Sequence, residues 1–88
     1  MADRKSIAAR VLIRGPELDR VRAHGPTKRY EDIKAGLLPP PIKRGRRYSR
    51  FILDEIEAVV AAEIRGDSEE QRKALVRQLV AARQTRAS

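Results

Sequence analysis

The sequence predicts a single small domain, mostly helical, with one short β-ribbon and an added C-terminal helix. Three observations point there. A chain of 88 residues is long enough for one modest core and too short for two. Apolar residues recur at three- and four-residue spacing in stretches separated by Gly-Pro or Gly. Between two of those stretches, Pro39-Pro40-Pro41 forces extended backbone, because each proline lacks an N–H and restrains the residue before it. The expected organisation is a flexible basic arm over 1–9, a folded unit over 10–66 and a terminal helix over 67–88.

Each element has its own local cause. Val11-Leu12-Ile13, flanked by Arg10 and Arg14, is a short β-prone run closed by Gly15-Pro16, where a helix can begin with proline in its first turn. The first helix is expected from Pro16 to Arg22, with Leu18 and Val21 facing inward, and Gly25-Pro26 ends it. A second helix follows to Ala35, with Tyr30 and Ile33 as its inward face and Gly36 as a left-handed stop. After the prolines, Lys43-Arg44-Gly45-Arg46-Arg47 between Ile42 and Tyr48 predicts a two-stranded ribbon with a basic tip. A third helix over Leu53–Ile64 carries Ile56, Val59, Val60 and Ile64 as one stripe, with Asp54 and Glu55 at its dipole-positive end. Ser68 followed by Gln71 is a capping-box pattern opening a fourth helix over Glu69–Arg83, striped by Leu75, Val76, Leu79 and Val80. Two short helices joined by a Gly-containing turn and followed by a basic ribbon outline a winged helix-turn-helix.

The charge is unevenly placed along this outline. Lys and Arg number 20 against 12 Asp and Glu, a net of +8. Residues 1–50 hold 14 cations and 5 anions (+9), and residues 51–88 hold 6 and 7 (−1). A basic half-chain of this kind points to a polyanionic partner. On the second helix, Thr27, Lys28, Arg29 and Lys34 are the candidates for major-groove contact, since Arg and Lys can read guanine edges and Thr a phosphate or thymine methyl. On the ribbon, Lys43, Arg44, Arg46 and Arg47 surround one glycine, four cations where a solubilising loop rarely needs so many. Arg4, Lys5, Arg14 and Arg50 are further candidates for contacts to backbone phosphate. Double-stranded DNA is therefore the expected partner.

The series Gly36-Leu37-Leu38-Pro39-Pro40-Pro41-Ile42-Lys43-Arg44-Gly45-Arg46-Arg47-Tyr48, then Phe51 and Asp54-Glu55-Ile56, resembles the excisionases of temperate phages and mobile elements. It also looks like the related AlpA-type regulators, both within the MerR-like superfamily. Ile13-Arg14-Gly15-Pro16-Glu17-Leu18 is similar to the opening of their first helix. The resemblance covers Leu12 to Val60 and departs from the family in the second helix, which is shorter and lacks one apolar residue. It implies a sequence-specific, DNA-bending protein that acts as a recombination directionality factor, biasing a site-specific recombinase (an integrase) towards excision without strand chemistry of its own. It also implies cooperative binding as a homo-oligomer on DNA. Beyond the part that resembles the family, the stripe Leu75, Val76, Leu79 and Val80 must be buried, on the third helix of the same chain in the first instance or else on a neighbouring protomer, for which it is the contact candidate. The alternative within the resemblance is an AlpA-like transcriptional regulator using the same DNA contacts.

Other classes fit less well. With no Cys and one His, His24, the chain lacks the ligands of a usual zinc site. Asp54, Glu55 and Glu57 occupy successive helical positions that diverge, and helix capping accounts for them better than catalysis. No phosphate-binding loop or nucleophile elbow is present, so a non-enzymatic protein without cofactors is expected. Tyr30, Tyr48 and Phe51 are expected in the core rather than stacked on bases. Reading the prolines as a ligand for an aromatic groove ranks below the ribbon that follows them. A basic RNA-binding protein would show aromatics among cations on strands, which the sequence does not. The longest aliphatic run, Ala58–Ala62, is far short of a membrane span, so a cytoplasmic, nucleoid-associated protein is expected.

Overall fold

The computed structural model describes residues 11–44 and 48–87. In order these form β1 (Leu12–Ile13), α1 (Gly15–Arg22), α2 (Pro26–Ala35), β2 (Ile42–Arg44), β3 (Tyr48–Ile52), α3 (Leu53–Arg65) and α4 (Glu69–Ala87). The expected arm with Arg4 and Lys5, and the turn centre Gly45-Arg46-Arg47, lie outside the described residues. The molecule is mostly helical with a small antiparallel sheet, strand order β1-β3-β2. The ribbon expected from the sequence is β2 and β3, and β1 adds a third strand by pairing Leu12 with Ile52 and Ile13 with Phe51.

Local signals set the helix ends. The Arg14 N–H donates to Glu17 Oε1 at 2.7 Å, satisfying one donor ahead of α1. At the other end the structure differs from expectation. Ala23, with φ +61°, takes the left-handed position, while Gly25 is extended at φ −98° as the residue before α2. A left-handed alanine costs about 1 kcal/mol, and the α1–α2 turn holds it there through Ala23 N–H to Arg20 O and His24 N–H to Asp19 O. Gly36 and Gly66, both at φ +81°, end α2 and α3 as their positions foretold. Ser68 and Gln71 close the capping box of α4 in both directions, at 2.8 and 3.1 Å.

Ile13, Leu18, Leu38, Phe51, Ile56, Val59 and Val76 form the core, with Ile33, Leu53, Leu79 and Val80 packed against it. The proline segment enters this core through Leu38 and Pro39, both buried. The C-terminal stripe is therefore spent on the same chain. Val76 is buried, and Leu75, Leu79 and Val80 are half-buried, the last two packed on the core. Arg83, one turn further on, donates to both carboxylate oxygens of Glu55 (2.9 and 2.6 Å) and to the Pro40 carbonyl at 2.8 Å, tying α4 to α3 and to the prolines. Glu55 is thus a buried ion-pair partner and more than a helix-end anion.

Three expected inward residues face out: Val21 is 44 % exposed, Tyr30 66 % and Ile64 81 %. Charged residues occupy the inner positions instead. On α1 the residue one turn beyond buried Leu18 is Arg22, and on α2 the buried residues are Arg29 and Asp32. That choice rotates Val21 and Tyr30 to the surface. On α3 the buried set Glu55, Ile56, Val59 and Ala62 leaves Ile64 to one side.

Candidate nucleic-acid interface

Helical spacing divides α2 into three faces. Thr27, Tyr30, Glu31 and Lys34 stand at i, i+3, i+4 and i+7, all exposed, and form its outward stripe, which carries one acid. Arg29 and Ile33 turn inward, Arg29 buried and Ile33 half-buried. Lys28 and Asp32 make up the third face. The structure thus keeps Thr27 and Lys34 together, sets Lys28 aside and corrects the placement of Arg29 on the outward surface. Tyr30 joins the stripe in place of the core position expected for it.

Between α2 and the sheet lies a cleft of about 460 Å³ lined by Gly15, Pro16, Arg29, Tyr30, Ile33, Pro41, Lys43, Ser49 and Phe51. Strand register explains its far wall. Lys43 pairs with Ser49, and both share the sheet face on which Phe51 and Ile13 meet the core. Arg50 pairs with Ile42 and belongs to the other face, where it lines a shallow hollow with Leu12, Arg14, Pro16, Glu17 and Arg20. The candidate phosphate contacts are therefore divided. Lys43 faces α2 across the cleft, while Arg14 and Arg50 meet on the reverse side of the sheet.

The near wall of the cleft is built by Arg29. Its Nη1 is 3.5 Å from Asp19 Oδ2 on α1, and its guanidinium carbon is 5.0 Å from the Tyr30 ring centre, a cation–π distance. A Cβ on Gly15 would fall 1.7 Å from Nη1, so the guanidinium occupies the space that glycine leaves at the start of α1.

The opposite flank of α2 is a network of pairs. Asp32 accepts from Arg22 Nη2 at 2.6 Å and from Lys28 Nζ at 3.1 Å. Arg22 Nη2 also lies 3.4 Å from Glu63, which Arg72 approaches at 3.7 Å. Burial by itself pushes the Asp32 carboxyl up, but hydrogen bonds from Arg22 and Lys28, with the attraction of their charges, outweigh it and hold the group below its usual range. Sequence reasoning missed this network. A signal was present in Arg22, four residues after Leu18 and so on the same helix face.

Among the described residues no group of three or more His, Cys, Asp or Glu is placed to hold a metal, and no helix is long and apolar enough to cross a membrane. His24 is exposed in the α1–α2 turn. Comparison with protein-family models, curated proteins and solved structures gives no match.

Proposed function

We propose that the protein is a winged helix-turn-helix that binds double-stranded DNA, laying the outward stripe of α2 in the major groove and the β2–β3 ribbon along the adjacent backbone. The observation that carries this reading is the common cleft. Thr27, Tyr30 and Lys34 stand on the helix that forms one wall and Lys43 on the strand that forms the other, so one duplex can meet both. The +9 charge of residues 1–50 supports it through the electrostatic attraction that dominates protein–DNA affinity. Thr27 and Lys34 then read base edges, and the ribbon cations neutralise phosphate.

The Gly36–Tyr48 and Phe51 series carries the narrower reading, an excisionase-like recombination directionality factor that bends DNA and steers an integrase towards excision. Homo-oligomers form along the DNA in this reading, through surfaces other than the buried part of the α4 stripe. Competition between duplex DNA and structured RNA tests the first step, and preference for RNA rejects it. An excision assay with an integrase encoded beside this gene tests the second. Excision that is independent of the protein, with control of a promoter instead, favours a transcriptional regulator.

A further inference from the structure

Arg29 sits where a cation is disfavoured unless an anion joins it. Its guanidinium rests against Gly15, the first residue of α1, at the positive end of that helix's dipole. In that first turn Pro16 has no N–H, and the Gly15 N–H has no partner within the helix. Glu17, the acid of that first turn, is engaged by the Arg14 N–H and lines the hollow on the reverse side. Asp19 faces the guanidinium at 3.5 Å, longer than the roughly 2.7–2.9 Å of a charge-assisted hydrogen bond. Arg29 is more than nine-tenths buried, and its Nε has no hydrogen-bond partner among the described residues. Across the cleft stand Lys43, exposed, and Ser49, its register partner. A largely buried guanidinium, a helix N-terminus, an ammonium and a hydroxyl thus line one concavity.

We propose that this cleft is a seat for one phosphodiester of the DNA backbone. Arg29, the start of α1, Lys43 and Ser49 hold the non-bridging oxygens, and Tyr30 and Pro41 pack on the adjoining deoxyribose. About 460 Å³ accommodates a phosphate together with its sugar. The inference rests on the reading that the partner is duplex DNA and changes the role of one residue within it. Arg29 fixes the register of the protein on the duplex and carries no sequence information.

The test is the salt dependence of binding to a short random-sequence duplex, with the Gly15 and Ser49 amide resonances followed during titration. Arg29→Gln should lower the slope of log affinity against log salt by about 0.9, the share of one phosphate. Its affinity should fall about tenfold or more on cognate and random duplexes alike. Because that variant deprives Asp19 of its cation, Gly15→Ala serves as the second. It keeps every charge while its Cβ displaces the guanidinium, and it should weaken binding to all sequences equally and abolish the Ser49 shift. Wild-type binding with unmoved Gly15 and Ser49 amides and unchanged slopes in both variants overturns the seat and leaves the DNA reading standing. Failure of the wild type to bind duplex overturns both, and shifts produced by inorganic phosphate alone would then mark a small-anion site.

Discussion

On one flank of α2, Arg22 faces two carboxylates, Asp32 at 2.6 Å and Glu63 at 3.4 Å, with Lys28 and Arg72 closing the network. On the other, Arg29 faces Asp19 alone, at 3.5 Å, with an exposed lysine across an open cleft. Both arginines are buried and both keep a guanidinium nitrogen without a hydrogen-bond partner, Nε and Nη1 in Arg22 and Nε in Arg29. Burial and unused donors therefore do not separate them; the local balance of charge does. In the hollow beside Arg22, Asp67 and Glu69 join Asp32 and Glu63, so four carboxylates face Arg22, Lys28 and Arg72; an added anion gains nothing there, and the network serves to join α1, α2 and α3. Where cations exceed carboxylates beside a helix N-terminus, the site gains by admitting an anion.

Arg22→Ala should give the largest effect and sharpens this contrast. It removes the centre of the paired flank, and breaking a buried pair costs about 3 to 5 kcal/mol. The lower end is expected because Lys28 remains beside Asp32. Urea denaturation checks it, and a loss under about 1 kcal/mol would mean that the pairs hold nothing together.

The two arginines between β2 and β3 in sequence come next. Neutralising Arg46 and Arg47 together should lower the salt slope of DNA binding by about one to two, one counterion per lost phosphate contact. An unchanged slope would remove the ribbon from the interface. Lys34→Ala should reduce discrimination between cognate and random duplex by about 1 to 3 kcal/mol if the ammonium reads a base edge. Lys28→Ala, on the paired flank, should cost only about 0.3 to 0.5 kcal/mol of stability, the usual worth of an i,i+4 pair. Equal loss of discrimination in both lysine variants would break the division between flanks.

Asp32 supplies a test by pH. Its carboxyl is held below the ordinary value of 3.8 in the folded protein. Its contribution is therefore complete above the unfolded value and is lost as pH falls through the folded one. Thermal stability should decline on acidification below about pH 4, and less steeply in Asp32→Asn. The same acid dependence in both proteins would assign the decline to other carboxylates. The smallest effect is expected at Ile64, 81 % exposed, where Ile64→Ser should change stability by no more than about 0.5 kcal/mol.

The sequence by itself determined the features that depend on a few neighbouring residues. Gly36 and Gly66 stop their helices because glycine tolerates the left-handed position, Ser68 and Gln71 cap α4 reciprocally, and three prolines enforce the extended path into β2. The helical period likewise placed Leu18, Ile56, Val59 and Val76 in the core. The tertiary structure alone decided which charges are buried. Arg22 meets Asp32 ten residues away and Glu55 meets Arg83 twenty-eight away, so neither pair exists until helices pack. Apolar periodicity assumes that hydrophobic side chains take the inner positions. At Arg22, Arg29 and Asp32 ion pairs took them instead, which turned Val21 and Tyr30 outward. The third strand has the same origin, since Leu12 and Ile13 become a strand only by pairing with Ile52 and Phe51 from the far side of the helical pair. The cleft between α2 and the ribbon follows from that assembly, because its two walls are distant in sequence and only packing brings them face to face.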